Sequence, residues 1–197
     1  SAQAQLTGTL GVCMGTVGPG GIHLLNGLYD AKKSHAPVLA ICGQVGSAEI
    51  GTDTFQEVDN DVLYADVSVY SRTIINAEHF PHVLEAAVNA ALNQRGVSVL
   101  TLPGDVGELE VDSDTLTFTR PQSRTVPSPD LLAQAVDLID DAKKVTMLVG
   151  IGARAGRENV LRLAERLQAP MVVTLKGKDG FDHDNPYQVG QSGLIGN

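Results

Sequence analysis

The stretch Leu10–Asp30, LGVCMGTVGPGGIHLLNGLYD, decides the fold. It opens within a short apolar run, Thr9 to Met14, of the kind that forms a strand. Gly18-Pro19-Gly20-Gly21 then breaks the pattern, and Leu24, Leu25 and Leu28 return at helical spacing. A helix is expected to start after Pro19-Gly20, because proline suits the first helical turn, where no amide donor is needed. Glycines at such a turn let the backbone approach a ligand closely, and the positive end of the helix favours negative charge. A plain strand-to-helix turn would carry the same residues, so the local pattern leaves both readings open.

Outward from this stretch the same alternation continues. Pro37 to Cys42, Val97 to Leu102, Val145 to Val149 and Pro170 to Leu175 read as strands. They are continuously apolar and partly β-branched, the pattern of strands buried on both faces of a parallel sheet. Between them lie helical patterns. Phe80, Val83, Leu84, Ala87, Val88 and Ala91 share one face, and Gly96 is expected to close that helix. Ser128-Pro129-Asp130 is a helix start, with Leu131, Leu132, Ala135, Leu138 and Ile139 as its buried face. A further helix runs from about Gly156 to Leu167, with Val160, Leu161, Ala164 and Leu167 inward. The fold class is therefore α/β, with two doubly wound parallel-sheet units. Residues 1–107 form the first and 128–197 the second. Residues 108–127, polar and carrying Pro121 and Pro127, form the linker. The second unit shows two clear strands, and the first begins at a strand with no element before it. Both units are thus expected to be truncated.

Composition narrows the function. The formal net charge is −9 over 197 residues, and Lys32-Lys33 and Lys143-Lys144 are isolated pairs. Binding to a phosphate backbone needs clustered cations, so no nucleic-acid partner is expected. No apolar run approaches the roughly 20 residues of a membrane span. Cys13 and Cys42 each sit in an apolar run and read as reduced, buried thiols.

Several segments could carry chemistry. The turn Gly18-Pro19-Gly20 could approach a ligand, with His23 nearby on the helix. Thr54-Phe55-Gln56-Glu57 combines a ring, an amide and an acid in a polar loop, though exposed structure would look the same. Gly150-Ile151-Gly152-Ala153-Arg154-Ala155-Gly156 follows a strand and opens a helix, as a dinucleotide turn does. Its G-x-G-x-x-x-G spacing is one residue longer than the dinucleotide fingerprint. Thr174-Leu175-Lys176 stands about 20 residues on, where a nicotinamide site carries an acid. The pattern leaves a flavin or another nucleotide open. Lys176-Gly177-Lys178 and Ser192-Gly193-Leu194-Ile195-Gly196 lie at or beyond strand ends, where open α/β sheets bind ligands. The five histidines are scattered, His79 and His82 reading as helix surface, and no metal site is expected. Neither a G-x-S-x-G elbow nor a P-loop is present.

Taken in order, these segments resemble the thiamine-diphosphate-dependent enzyme family. Leu10 to Asp30 looks like its pyrimidine-binding domain. Ala36 to Ile41, Glu49-Ile50-Gly51, Phe55-Gln56-Glu57 and Pro103-Gly104-Asp105-Val106 follow at the family's spacing. Lys176-Gly177-Lys178, Asp184-Asn185-Pro186-Tyr187 and Gly193 to Gly196 resemble its central domain. Within the family the likeness is strongest to the pyruvate oxidase and pyruvate:quinone oxidoreductase type, with acetolactate synthase next.

The resemblance implies thiamine diphosphate, Mg2+ and FAD as cofactors. Gly18, Pro19 and Gly20 would line the aminopyrimidine site, with His23 beside it. Phe55 and Gln56 would stand near the substrate as catalytic residues. Gly150, Gly152, Thr174, Leu175, Lys176, Gly193, Leu194 and Ile195 would line the flavin site. The implied substrate is pyruvate or another 2-oxo acid, oxidatively decarboxylated to acetate or acetyl phosphate, with quinone or oxygen as acceptor. A homo-oligomer is implied, dimer or tetramer, in the cytoplasm, with contact at the inner membrane face only through other segments. The family's catalytic glutamate would precede Ser1. The Mg2+ and diphosphate ligands would lie in a third domain, so this stretch alone is expected to be inactive. Gly21 stands where close relatives usually have Asn. The alternatives are an acetolactate synthase-like carboligase and an inactive nucleotide-binding or interaction module.

Overall fold

The computed structural model describes residues 1–111 and 125–196. They fall into two compact units, the first within Ser1–Arg124 and the second within Thr125–Asn197. Most of the expected linker, 108–127, lies outside the described residues.

The first unit runs α1 (Ala2–Thr7), β1 (Gly11–Gly15), α2 (Pro19–Lys33), β2 (Val38–Gln44), α3 (Asn60–Leu63), β3 (Ser68–Thr73), α4 (His79–Gln94) and β4 (Val97–Pro103), then a single 3-10 turn, Val106–Glu108. The four strands are parallel in the order β1-β2-β4-β3. The two inner strands are the most apolar in sequence, because only they are covered on both faces. On one face Leu28 and Ala31 of α2 pack with Val38, Ala40, Cys42, Val97 and Val99. On the other Val83 and Ala87 of α4 pack with Leu39 and Leu100. Burying one such Leu or Val is worth about 2 kcal/mol, so the helices are held by their apolar stripes. Cys13 and Cys42 are free thiols on the α2 face, two residues out of register on adjacent strands. Cys42 is buried, Cys13 only half so, and burial pushes both thiol pKa values up.

The second unit runs α5 (Pro129–Asp140), β5 (Met147–Val149), a 3-10 segment Ile151–Gly156, α6 (Arg157–Leu167), β6 (Met171–Thr174), α7 (Lys178–Phe181) and β7 (Gln188–Ser192). Its strands are parallel in the order β5-β6-β7. Val149, Ala164, Met171, Val173 and Phe181 form its core. The Ser128 hydroxyl caps α5 by accepting from the Leu131 amide, as the Ser-Pro-Asp start implies.

Several expectations are corrected. A helix, α1, precedes the first strand and puts Ala4 in the core. β3 and β7 are strands that the sequence hid: SVYSRT and QVGQS are polar because β3 and β7 are edge strands, only partly covered. The second sheet thus has three strands. β1 is also an edge, and Val12 and Met14 are 60% and 69% exposed instead of buried on both faces. Leu131, Leu132, Ala135 and Leu138 are exposed, Ile139 is half-buried, and no residue of α5 is buried. Helix α4 ends on Arg95 in the left-handed conformation, φ 50°, and not on Gly96. Gly96 is there for space: a Cβ on it would meet Val69 at 2.6 Å. His79 is half-buried, its Nδ1 accepting from the Ile75 amide, while His82 is exposed.

β1 and α2 approach each other main chain to main chain. A Cβ on Gly15 would lie 2.7 Å from the carbonyl of Gly20, which is main chain and cannot swing aside. Gly15→Ala is expected to lower the unfolding free energy by about 1–3 kcal/mol, the range for overpacking. Gly27→Ala on α2, where a Cβ meets nothing within 4 Å, should instead stabilise by about 0.5–1 kcal/mol. Urea denaturation checks both, and equal midpoints for Gly15→Ala and the parent would refute the packing argument.

Candidate functional site

The carboxyl ends of β1 and β2 bring the first group of residues together. β1 ends at Gly15, and the chain turns into α2 through Gly18, which has φ 65°. A Cβ on Gly18 would lie 2.7 Å from the main-chain oxygen of Gln56. Two constraints, positive φ and this contact, therefore require glycine. The glycine turn and the loop carrying Phe55 and Gln56 are in main-chain contact, although 37 positions separate Gly18 from Phe55 in sequence. Pro19 opens α2 with Gly20 after it. Phe55 is 87% exposed beside this bare backbone. His23 is exposed on α2 and makes no hydrogen bond among the described residues.

The loop from Val45 to Val58 is fixed at both ends by one side chain. Gln44, buried at the end of β2, donates to the Val58 carbonyl at 2.7 Å and accepts from the Val45 amide at 3.0 Å. Asn60, also buried, donates to the Gly43 carbonyl at 3.4 Å. Further out, Asp105 accepts from the Ser47 amide at 2.8 Å and from its hydroxyl. Those bonds hold the Asp105 carboxyl below the usual range, the Ser47 hydroxyl contributing most. Glu57 accepts from the amides of Gly51 and Thr54, and the Gly51 bond does most to hold its carboxyl low. Glu57 is thus engaged with main chain and is not a free acid beside Phe55 and Gln56. The Gln44 and Asn60 anchors carry no motif that marks them in sequence. Asp105 was visible only as part of Pro103-Gly104-Asp105-Val106.

The second unit gathers its own group at the carboxyl edge of its sheet. Strand register sets Val149 beside Val173, and Thr174 beside Ser192. Gly150, Thr174-Leu175-Lys176 and Gly193-Leu194-Ile195 therefore follow three adjacent strand ends. Gly150 leads into a 3-10 segment, not directly into an α-helix, and α6 starts at Arg157. This is how the one-residue-longer spacing is accommodated. A Cβ on Gly152 would meet nothing within 4 Å, so that glycine faces open space. Gly177, by contrast, is pressed onto the strand end: a Cβ there would lie 2.5 Å from the Val149 carbonyl. Its amide donates to the Thr174 carbonyl at 2.9 Å and hydroxyl at 3.2 Å. Leu175, Leu194 and Ile195 are exposed. Gly193 has φ 123°.

A cleft of about 600 Å3 lies at the opposite edge of this sheet, lined by Lys143, Lys144 and Arg166 among others. Its cations sit at or just past the C-terminal ends of α5 and α6, where they offset the negative helix ends, and Asp140 joins them. Among the described residues no group of His, Cys, Asp and Glu could hold a metal ion. Nor is any of their helices long and apolar enough to cross a membrane.

Comparison with known proteins agrees with this organisation. Residues 1–63 match the N-terminal TPP binding domain of thiamine pyrophosphate enzymes, and residues 132–197 match the central domain of the same enzymes. An uncharacterized 42.6 kDa protein in the isoamylase 3′ region of Pseudomonas amyloderamosa is 42% identical over 99% of the chain, which covers 50% of that protein. A pyruvate oxidase from Lactiplantibacillus plantarum is 37% identical over 99% of the chain and 33% of its own length. An acetolactate synthase from Arthrospira platensis is 34% identical over 98% of the chain and 35% of its own length. The chain thus spans half the length of the first relative and about a third of the other two.

The anchors make two predictions. Glu57 and Asp105 have depressed pKa values in the folded chain. Their contribution is present above the ordinary carboxylate range of about pH 4 and is lost as pH falls through the lower folded values. Peptide-resolved amide exchange, corrected for its intrinsic pH dependence, should show residues 46–57 protected above about pH 4 and released as pH falls further below it. In the second unit Gly177→Ala should cost about 1–3 kcal/mol by forcing the turn off Val149. An unshifted thermal midpoint would contradict that contact.

Proposed function

We propose that the chain, which matches the N-terminal and central domains of thiamine pyrophosphate enzymes, forms part of a thiamine-diphosphate- and FAD-dependent enzyme that oxidatively decarboxylates pyruvate. The product is acetate or acetyl phosphate, and the electrons pass to quinone or oxygen. The observation that carries this reading is the meeting of the Gly18 turn with Gln56 beside the exposed ring of Phe55. Bare backbone next to an aromatic face suits the edge of a flat heterocycle, and Gly18, Pro19 and Gly20 would hold the aminopyrimidine there. Bound thiamine diphosphate supplies an electron sink for the bond to carbon dioxide.

The chain's own residues prepare that chemistry. The Phe55 ring keeps water from the 2-oxo acid, so that polar contacts act in a drier, lower-dielectric space. The Gln56 amide donates a hydrogen bond to the substrate's oxygens. Gly150, Gly152, Thr174, Leu175, Lys176 and Gly193 to Ile195 would receive FAD at the carboxyl edge of the second sheet, as open α/β sheets receive ligands. Thr174 is already committed to the Gly177 turn, so its part would be to shape the backbone. Mg2+ would be held by residues outside this chain. The whole enzyme would be a homo-oligomer, dimer or tetramer, in the cytoplasm.

The likeness to the Arthrospira platensis acetolactate synthase supports a second reading. There a second 2-oxo acid would accept the two-carbon unit, and no electrons would pass to a flavin. The complete protein decides between them when supplied with thiamine diphosphate, Mg2+ and pyruvate. The oxidase reading expects a visible flavin band, bleaching by pyruvate, and reduction of an artificial quinone-like dye. Acetolactate without dye reduction would establish the carboligase instead, and neither product would refute both. Phe55→Ala or Gln56→Ala should lower kcat/KM for pyruvate by about a hundredfold, the scale of lost substrate positioning.

A further inference from the structure

The loop of residues 51–57 is folded in a way that needs an explanation. Gly51, Asp53 and Gln56 all have positive φ, at 87°, 59° and 69°. L residues avoid this region because the Cβ crowds the carbonyl. Two such residues in one short exposed loop persist only where surrounding bonds over-determine the conformation.

Those bonds converge on one carboxylate. One oxygen of Glu57 accepts from the Gly51 amide and the other from the Thr54 amide, at 3.3 Å for the latter. The Glu57 amide in turn donates to the Thr54 carbonyl at 2.8 Å, closing a tight turn around Phe55 and Gln56. Thr52 adds a bond from its hydroxyl to the Glu49 carbonyl at 2.7 Å, and its hydroxyl also pairs with that of Thr54 at 2.7 Å. The turn so formed presents the Gln56 main-chain oxygen to Gly18 and leaves the Phe55 ring exposed.

We infer that Glu57 is a positioning residue: its carboxylate ties residues 51–57 into the one conformation that sets Gln56 against the glycine turn and Phe55 beside it. The inference rests on the proposed reading of that site and goes beyond it, because Glu57 neither faces the site nor moves a proton there. A solvated surface acid would use its oxygens on water. Here both are used on main-chain amides of the same loop. The charge matters as well as the shape, since a carboxylate accepts at both oxygens. A glutamine accepts at one and turns an amide donor toward the second N–H.

The test uses the complete protein and three variants, Glu57→Ala, Glu57→Gln and Glu57→Asp. In Glu57→Ala, amide exchange over residues 51–56 should rise about tenfold or more, with the thermal midpoint unchanged because the loop is exposed. The kcat/KM for pyruvate should fall about tenfold or more, with kcat bearing most of the loss, as expected for misplaced groups. Glu57→Gln should resemble Glu57→Ala, and Glu57→Asp should recover part of both signals. Unchanged exchange would overturn the inference, as would faster exchange with unchanged kinetics. A parent protein that does not turn over pyruvate would sink the proposed reaction alone. The exchange comparison would then still decide whether Glu57 holds the loop.

Discussion

Main chain meets main chain where β1 gives way to α2, and much of the first unit is arranged around that contact. Gly15 lies so near the Gly20 carbonyl that a single methyl group would separate the strand from its helix. This closeness lets α2 lay Leu28 and Ala31 onto the sheet. The same turn presents Gly18 without a side chain, and Gln56 fills the space. One steric requirement thus serves packing and the candidate site together. A larger residue would gain area at the turn and lose the contact between the turn and the Phe55 loop.

The parallel sheet explains why the site lies where it does. Every strand of a parallel sheet points the same way, so all the strand-to-helix loops of one kind gather at one edge. In the first unit the loops after β1, β2 and β4 meet there: Gly18 lies against Gln56, Asp105 accepts from Ser47, and Gln44 closes the β2 loop on itself. Gln44 acts from inside and Asp105 from outside. The two differ in their sensitivity: a neutral buried amide keeps its bonds at any ordinary pH, while an exposed carboxylate keeps them only while ionised. The β2 loop is therefore anchored permanently at its ends and conditionally along its length.

How far the sequence could be read follows from burial. β2 and β4 are covered on both faces, and their sequences are unbroken apolar runs that announce themselves. β3 and β7 are edges, so Ser68, Arg72, Gln188 and Gln191 are tolerated there and the strand pattern disappears. Gly18, Phe55 and Gln56 could be singled out by residue type and by resemblance, but their contact could not. It depends on a turn and a loop meeting across the strand ends. Arg95 shows a local rule giving way: the helix end uses a left-handed arginine, and the glycine after it is reserved for the Val69 contact. The apolar stripe of α5 predicts a buried face, yet amphipathicity states that a face can be buried, not that the described residues bury it.

The second unit repeats the device with different residues. Gly177 is pressed onto the end of β5 as Gly15 is pressed onto the start of α2, and the Thr174 hydroxyl holds the turn in place. Gly15, Gly18 and Gly177 are each held against main chain and are structural, whereas Gly152 in the second unit faces open space. This division matters for reading glycine-rich turns. A substitution at the pressed glycine would act through stability and would impair any ligand indirectly. A substitution at the open Gly152 would leave the fold intact. Conflating the two would assign binding roles to residues whose work is to bring a strand and the segment after it close enough for a site to exist.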